Sequence, residues 1–158
     1  MTACADKDRI AVGVLAITGQ YSGGEKVIHA ILQPEIRKSV WTILGKTFYR
    51  TVSPTHMIIL TDQEVIMIRE NEGQGRNDKY GGVWNYIQLH KIVTITLTQI
   101  AGNLLVFSVQ LPGDEFLEYQ FIDSLMPEVN QLINRFRELI KLEQFQSESR
   151  LHKVKKLG

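Results

Sequence analysis

The sequence is poor in cysteine and has no long hydrophobic run. Its only cysteine, Cys4, cannot form an internal disulfide and has no nearby partner ligand for a metal site. A transmembrane helix needs about 20 consecutive apolar residues, and no apolar run in this sequence comes close to that length. The longest candidate signal, residues 10–17, is short and lacks a cleavage site. We therefore expect a protein of the reducing cytoplasm, without disulfides or a cofactor.

An excess of charge of either sign is also missing. The chain has 18 Lys and Arg against 17 Asp and Glu, a formal net charge of +1. Its net charge is too small to attract nucleic acid or an anionic bilayer over long range. A partner that binds by electrostatic attraction must therefore contact a local charged patch. At 158 residues, one domain buries enough surface, roughly 68 to 70%, to fold without a covalent or metal staple.

What is present is an alternation of apolar and polar residues that predicts antiparallel strands. The segment 91–98 alternates valine, isoleucine and leucine with threonine, which indicates a half-buried strand. The segments 104–111 and 115–121 show the same pattern, and turn residues at 101–103 and 112–113 separate the three. These segments are predicted to form a meander.

Upstream of residue 90 the composition predicts four more strands. They cover residues 25–33, 46–60, 64–70 and 82–89. Pro54 lies within the second of them and should bend or break it.

The last part of the chain changes to a helical period. Apolar residues from Leu125 onward recur three and four apart, which predicts an amphipathic helix over about 124–143. The expected fold is mainly β (α+β): a strongly bent sheet or partial barrel of seven strands, capped by this helix. We divide the chain into an N-terminal extension (1–24), a domain (25–143) and a mobile tail (144–158).

Five segments in this order resemble the bacterial pleckstrin-homology-like (PH-like) domains. They are "EKVIHAIL", "THMIILTDQEVIMIRE", "VWNYIQLHKIVTITLT", "LLVFSVQLPGDEFLEYQF" and the helix "SLMPEVNQLINRFREL". The resemblance covers about residues 25–142. It implies a β-sandwich or partial barrel of seven strands with a helical cap, and a role in binding instead of catalysis.

Catalytic and metal motifs are missing from the sequence. The four histidines, His29, His56, His90 and His152, are at least 27 residues apart and show no metal-ligand spacing. The glycines at 73–75 fit a surface loop better than a phosphate-binding turn. We therefore predict a non-catalytic binding module, with no small-molecule substrate.

One basic group suggests an anion or partner surface: Arg37, Lys38, Lys46 and Arg50. In eukaryotic relatives of the resembled family, the corresponding loop holds phosphorylated inositol headgroups through a K-x(n)-K/R-x-R pattern. Lys46 and Arg50 are four residues apart, so the K/R-x-R element is absent here. A solvated basic edge remains the alternative.

A second basic group lies in the tail: Arg150, Lys153, Lys155 and Lys156. On a helix these residues would alternate with apolar ones and could touch anionic lipid. The alternative is a disordered, solubilising end.

Residues 55–70 predict a β-hairpin in which both faces of each strand must be buried. Its apolar runs, 57–60 and 65–68, place large apolar residues on both faces of each strand. We expect the second face to be covered by residues 10–17 or by another subunit. Trp84 and Tyr86 share one face of a later strand, which is either a surface patch or core.

Two classes of partner follow from these patterns. The first is another protein, with peripheral membrane association as an addition. The second is another copy of the chain, which would make the protein a self-assembling structural domain.

Overall fold

A computed structural model describes residues 25–70 and 82–155, with the surroundings of side chains through Leu142. These residues form nine antiparallel strands and one C-terminal helix. The strands are β1 (Val27–Gln33), β2 (Ile36–Ile43), β3 (Lys46–Ser53), β4 (His56–Thr61), β5 (Glu64–Glu70), β6 (Gly82–Gln88), β7 (Thr94–Ile100), β8 (Leu104–Leu111) and β9 (Glu115–Ile122). The helix, α1, spans Met126–Lys155. The mainly β fold with a terminal helix is thus confirmed.

The strands form three open sheets, and within the described residues they do not close into a barrel. One sheet has four strands in the order β1-β4-β5-β6, and another has three in the order β7-β8-β9. The strands β2 and β3 pair only with each other. Setting this pair aside, seven strands remain in a four-plus-three arrangement.

The main core lies between the four-stranded sheet, the three-stranded sheet and the helix. Alternate residues of β4 and β5, such as Ile58 and Met67, meet Phe107 and Phe121 of the other sheet in one apolar cluster. The helix adds the stripe that its sequence predicts, and four of these residues are buried: Val129, Leu132, Ile133 and Phe136. The period-two and helical patterns therefore bury their apolar positions together.

A buried glutamine links the two large sheets. The Gln33 side-chain oxygen accepts a hydrogen bond of 2.9 Å from the backbone N–H of Ile122, and its amide nitrogen donates to the Pro34 carbonyl at 2.8 Å. Gln33 is buried, so these bonds satisfy a group that would otherwise be costly to bury. They fix the end of β1 at the point where the chain leaves the core.

The break expected at Pro54 is confirmed: the segment 46–60 is interrupted at Pro54 and Thr55, and its two halves lie in different sheets. One predicted strand boundary is wrong. The strand predicted at 91–98 begins at Thr94, because Leu89–Lys91 form a turn of 3₁₀ helix, and Val93 is exposed.

The strand β2 was not predicted. Its residues beyond Ile36 are all exposed, so neither face imposes the apolar alternation by which a half-buried strand is identified. The predicted count of seven strands is too low, because β2 and the division of segment 46–60 bring the described residues to nine strands.

The helix is longer than predicted. It continues to Lys155 instead of ending near residue 143. No glycine or proline occurs between Pro127 and Gly158 to stop it. The segment 10–17, the glycines at 73–75 and Lys156 lie outside the described residues.

Candidate functional site

The strands β2 and β3 form a hairpin that stands clear of the core. Every residue from 37 to 52 is exposed. An isolated two-stranded hairpin is at best marginally stable in water, and exposed apolar residues on such an element usually mark a contact surface. We call this element the β2–β3 hairpin.

The tip of the β2–β3 hairpin carries a large apolar residue in a strained position. Ile43 pairs with Lys46, so the loop is only Leu44 and Gly45, with φ of 51° and 76°. Two positive φ values define the type I′ turn, whose preferred residues are Asn and Gly. A leucine in this conformation costs about 1–2 kcal/mol, yet Leu44 is 98% exposed and gains no packing in return. Such strain is characteristic of functional positions.

The two faces of the hairpin differ in chemistry. Trp41 lies opposite Phe48 with ring centroids 5.6 Å apart, and Thr42 lies opposite Thr47 with their hydroxyl oxygens 3.3 Å apart. Since paired residues share a face and successive residues alternate, one face is aromatic and the other is rich in hydroxyls. The aromatic face consists of Lys38, Trp41, Ile43, Lys46, Phe48 and Arg50.

The hairpin also has a one-sided charge. Between Ile36 and Ser53 there are four basic residues and no acidic residue. Arg37, on the hydroxyl face, is paired with Glu35 at the base of the hairpin, and Thr51 donates a hydrogen bond to the same carboxylate. The three cations of the aromatic face form no ion pair with any described residue.

The structure therefore brings together the basic residues proposed from the sequence, with one exception. Lys38 lies directly opposite Arg50, and Lys46 is on the same face nearer the tip. Arg37 lies on the other face, and its charge is balanced by Glu35. The sequence reasoning missed the apolar partners Trp41, Ile43, Leu44 and Phe48. The run of 26 residues without Asp or Glu, 36–61, was the available signal.

The basic group in the tail is placed only in part. Arg150, Lys153 and Lys155 lie within α1, and Lys156 is outside the described residues. No described helix is long and apolar enough to cross a membrane.

The predicted hairpin of residues 55–70 is confirmed as β4 and β5, and both of its faces are buried. Ile58, Leu60, Val65 and Met67 belong to the main core, whereas Met57, Ile59 and Ile66 form a separate cluster on the opposite side of the sheet. We call this opposite side the outer face. Trp84 and Tyr86 of β6 are paired with Ile68 and Ile66, so they share it. Both are exposed, and their rings stack with centroids 6.3 Å apart.

His56 is the most buried ionisable group near the base of the β2–β3 hairpin. Its ring is packed against Tyr119 and Phe121, with centroids 4.7 and 4.9 Å away. Nδ1 is 2.9 Å from the Pro54 carbonyl, which can only accept, so Nδ1 carries the hydrogen. Burial lowers the pKa of His56, and the Arg69 charge acts in the same direction, against the hydrogen bond to Pro54.

This environment fits a structural histidine. The neighbouring Ser53 hydroxyl is 3.4 Å from Nδ1, a long contact to a nitrogen already occupied by Pro54. Nε2 is buried, and a backbone interaction with Gln120 partly offsets the lowering of the His56 pKa. Within the described ranges, no group of three His, Cys, Asp or Glu side chains is arranged to hold a metal ion.

Comparison of the chain with protein-family models, with curated proteins and with solved structures finds no match.

Proposed function

We propose that this protein is a non-catalytic binding module of PH-like type that associates with anionic membrane surfaces through the β2–β3 hairpin. The four-plus-three strand arrangement with a terminal helix supports the PH-like assignment. The observation that carries the membrane assignment is the tip: a fully exposed leucine on a strained turn, beside exposed aromatic residues and unpaired cations.

The chemistry of the aromatic face matches the boundary of a bilayer. Tryptophan is amphipathic and favours the interface between headgroups and acyl chains. Lysine and arginine place their aliphatic stems along apolar surface while their charges stay with the headgroups. The alternation of Trp41, Ile43 and Phe48 with three cations therefore lets one face contact both layers at once.

The expected strength is that of a reversible attachment. Each basic residue near an anionic surface contributes about 1 kcal/mol, and each large apolar side chain that leaves water contributes about 1.5–3 kcal/mol when fully buried. Side-chain ordering and partial insertion offset part of this sum. A few cations and the apolar tip then give weak binding that depends on the anionic lipid content.

Co-sedimentation with vesicles tests the proposal. The protein should sediment with vesicles of phosphatidylcholine and phosphatidylserine at low salt, and much less with phosphatidylcholine alone. Trp41→Ala and Leu44→Ala should each reduce the bound fraction, whereas Tyr49→Ala, which removes an aromatic ring from the hydroxyl face, should not. An equal bound fraction with both vesicle types, or none at low salt, contradicts the proposal.

A fluorescence measurement locates the contact. The chain has two tryptophans, so Trp84→Phe leaves Trp41 as the only one. Its emission should shift to the blue when anionic vesicles are added. Removing residues 144–158 in the same background shows how much the basic tail adds to binding; complete loss of binding on that removal would move the site from the hairpin to the tail.

A second candidate is strand addition by a protein partner or a second copy. It is favoured by one observation: among the described strands, β2 and β3 pair only with each other, so both outer edges of this sheet are open to a further strand. Light scattering behind a sizing column tests the self-assembly form of this second candidate. A monomer at the highest concentration reached removes self-assembly through these edges.

A further inference from the structure

The outer face of the four-stranded sheet is buried at its centre. Met57 is 5% exposed, Ile59 is 2% and Ile66 is 0%. The described apolar residues packed against these three are Val27 and Ile68, which belong to the same sheet. Side chains of one sheet face stand beside one another, so neighbours in the sheet do not shield the face from above.

We propose that this face is a docking strip for the chain's own residues 10–17, "IAVGVLAI". Met57, Ile59 and Ile66 are already buried within a single chain. A second subunit is therefore not needed to cover the face, and the cover belongs to the same chain.

Composition separates residues 10–17 from the other segment of comparable length outside the described residues. Residues 71–81 contain no aliphatic side chain and are mostly glycine, charged or amide residues. Residues 10–17 consist only of isoleucine, valine, leucine, alanine and glycine. Burial of the isoleucines on the outer face demands an apolar cover, which residues 10–17 supply and residues 71–81 do not.

The entry point of β1 allows the segment to reach the strip. The backbone of Lys26 exchanges two hydrogen bonds with Asp62, of 3.0 and 3.1 Å, so the chain joins the sheet beside the β4–β5 turn. The intervening residues 18–24 span up to about 23 Å when extended. Crossing from β1 to β6 requires three strand spacings, about 14 Å.

The width of the buried strip also fits one segment. Leu32, opposite Met57 on β1, is 37% exposed, and Tyr86, opposite Ile66 on β6, is 54% exposed. The fully buried positions of this face lie on β4 and β5, and Leu32 and Tyr86 at the two margins are open to solvent. A strip two strands wide accommodates a single stretch of chain but not a domain.

Thiol labelling tests the docking strip with an internal control. In a Cys4→Ser background, which removes the only cysteine, one variant carries Ile66→Cys and another carries Met67→Cys. Both positions are fully buried, one on the outer face and the other in the main core. Each thiol is labelled in the full chain and again after Leu15→Asp, with Thr18→Asp as the charge-matched control.

Leu15→Asp should accelerate labelling of the thiol at position 66 at least about tenfold, which corresponds to about 1.4 kcal/mol of lost local protection. Labelling at position 67 should stay within threefold, a span of about 0.7 kcal/mol. Thr18→Asp should leave both rates unchanged. Removing residues 2–17 should repeat the difference between the two positions.

Three results overturn the proposal. The first is an unchanged rate at position 66 after both Leu15→Asp and the removal. The second is an equal acceleration at both positions, which shows a general loss of stability. The third is a dimer whose labelling at position 66 rises on dilution, which assigns the face to a second copy.

Discussion

Two consecutive hairpins of this chain are rich in large apolar residues, yet only one of them is buried. All six residues of β4 are buried, and the central residues of β5 are buried with them. In the β2–β3 hairpin, residues 37–52 are all exposed, including Trp41, Leu44 and Phe48. Apolar content alone therefore does not decide which hairpin enters the core.

The difference lies in the positions of the charges. In the β4–β5 hairpin, the acidic residues Asp62 and Glu64 are at the turn, so the apolar runs on either side are uninterrupted. In the β2–β3 hairpin, Lys38, Lys46 and Arg50 lie on the aromatic face itself. Burying that face in a core would strip three cations of water without a counter-charge, so it remains at the surface.

The largest effect is expected from shortening a buried side chain in the β4–β5 hairpin. Ile58→Ala, in the main core, and Ile66→Ala, on the outer face, should each lower the free energy of unfolding by about 2–5 kcal/mol. Leu44→Ala, at the exposed tip, should change it by less than about 0.5 kcal/mol. Urea unfolding measures all three. A cost at Leu44 equal to that at Ile66 would remove the distinction between the hairpins.

The next effect concerns the charges that keep the β2–β3 hairpin exposed. Lys38→Ala combined with Arg50→Ala should weaken binding to phosphatidylserine vesicles about ten- to thirtyfold, because each basic residue contributes about 1 kcal/mol. Lys141→Ala with Arg137→Ala, two exposed cations of the helix, serves as the control. Equal weakening by both pairs would show that only the net charge matters.

A smaller effect is expected from pH, acting on the junction between the hairpins. The pKa of His56 is lowered from 6.5 in the folded chain by burial, so the unfolded chain takes up the proton first. The stabilising contribution of neutral His56 is complete above pH 6.5 and is lost as the pH falls towards the folded pKa. The melting temperature should therefore fall between pH 7.5 and 5.5.

His56→Gln isolates this contribution. Glutamine keeps an N–H donor for the Pro54 carbonyl but does not titrate. The variant should have a lower melting temperature at pH 7.5 and a flatter profile towards acid. If its profile has the same slope as that of the original chain, another group is responsible.

A small effect on stability is expected even from a large deletion. Ile36 pairs with Ser53 at the base of the β2–β3 hairpin, so replacing residues 37–52 with Asn-Gly places a two-residue turn between paired positions. The remaining strands keep their core, and unfolding should change by less than about 1 kcal/mol. Circular dichroism and urea unfolding check the fold, and vesicle binding should disappear. Failure of this variant to fold would make the hairpin part of the core.

The sequence predicts the strands and the helix in which one face is exposed to solvent and the opposite face is buried. The alternation in β8 and β9 and the stripe of α1 report burial directly, and these elements are found where the pattern puts them, apart from the longer end of the helix. The β4–β5 hairpin is also predictable, because two short apolar runs around a polar turn fit no helix.

The candidate site is predictable only in its charges. The four basic residues are visible in the sequence, but their faces depend on the register of β2 with β3. An irregularity between Ser39 and Trp41 shifts that register by one residue and places Trp41 on the same face as Lys38. Strict alternation from Lys38 would have put Trp41 on the hydroxyl face. The sequence contains no glycine, proline or other signal near Ser39 that would predict this change of register.

The positive charge of the β2–β3 hairpin also makes the charge distribution of the chain uneven. The hairpin carries four positive charges out of a net charge of +1, so the rest of the chain has a net charge of 1 − 4 = −3. If the hairpin attaches to membranes as proposed, an anionic surface attracts the hairpin and repels the rest of the chain before any contact is made. The tip with Leu44 would then approach first, and the remainder of the chain would be left available for a second contact.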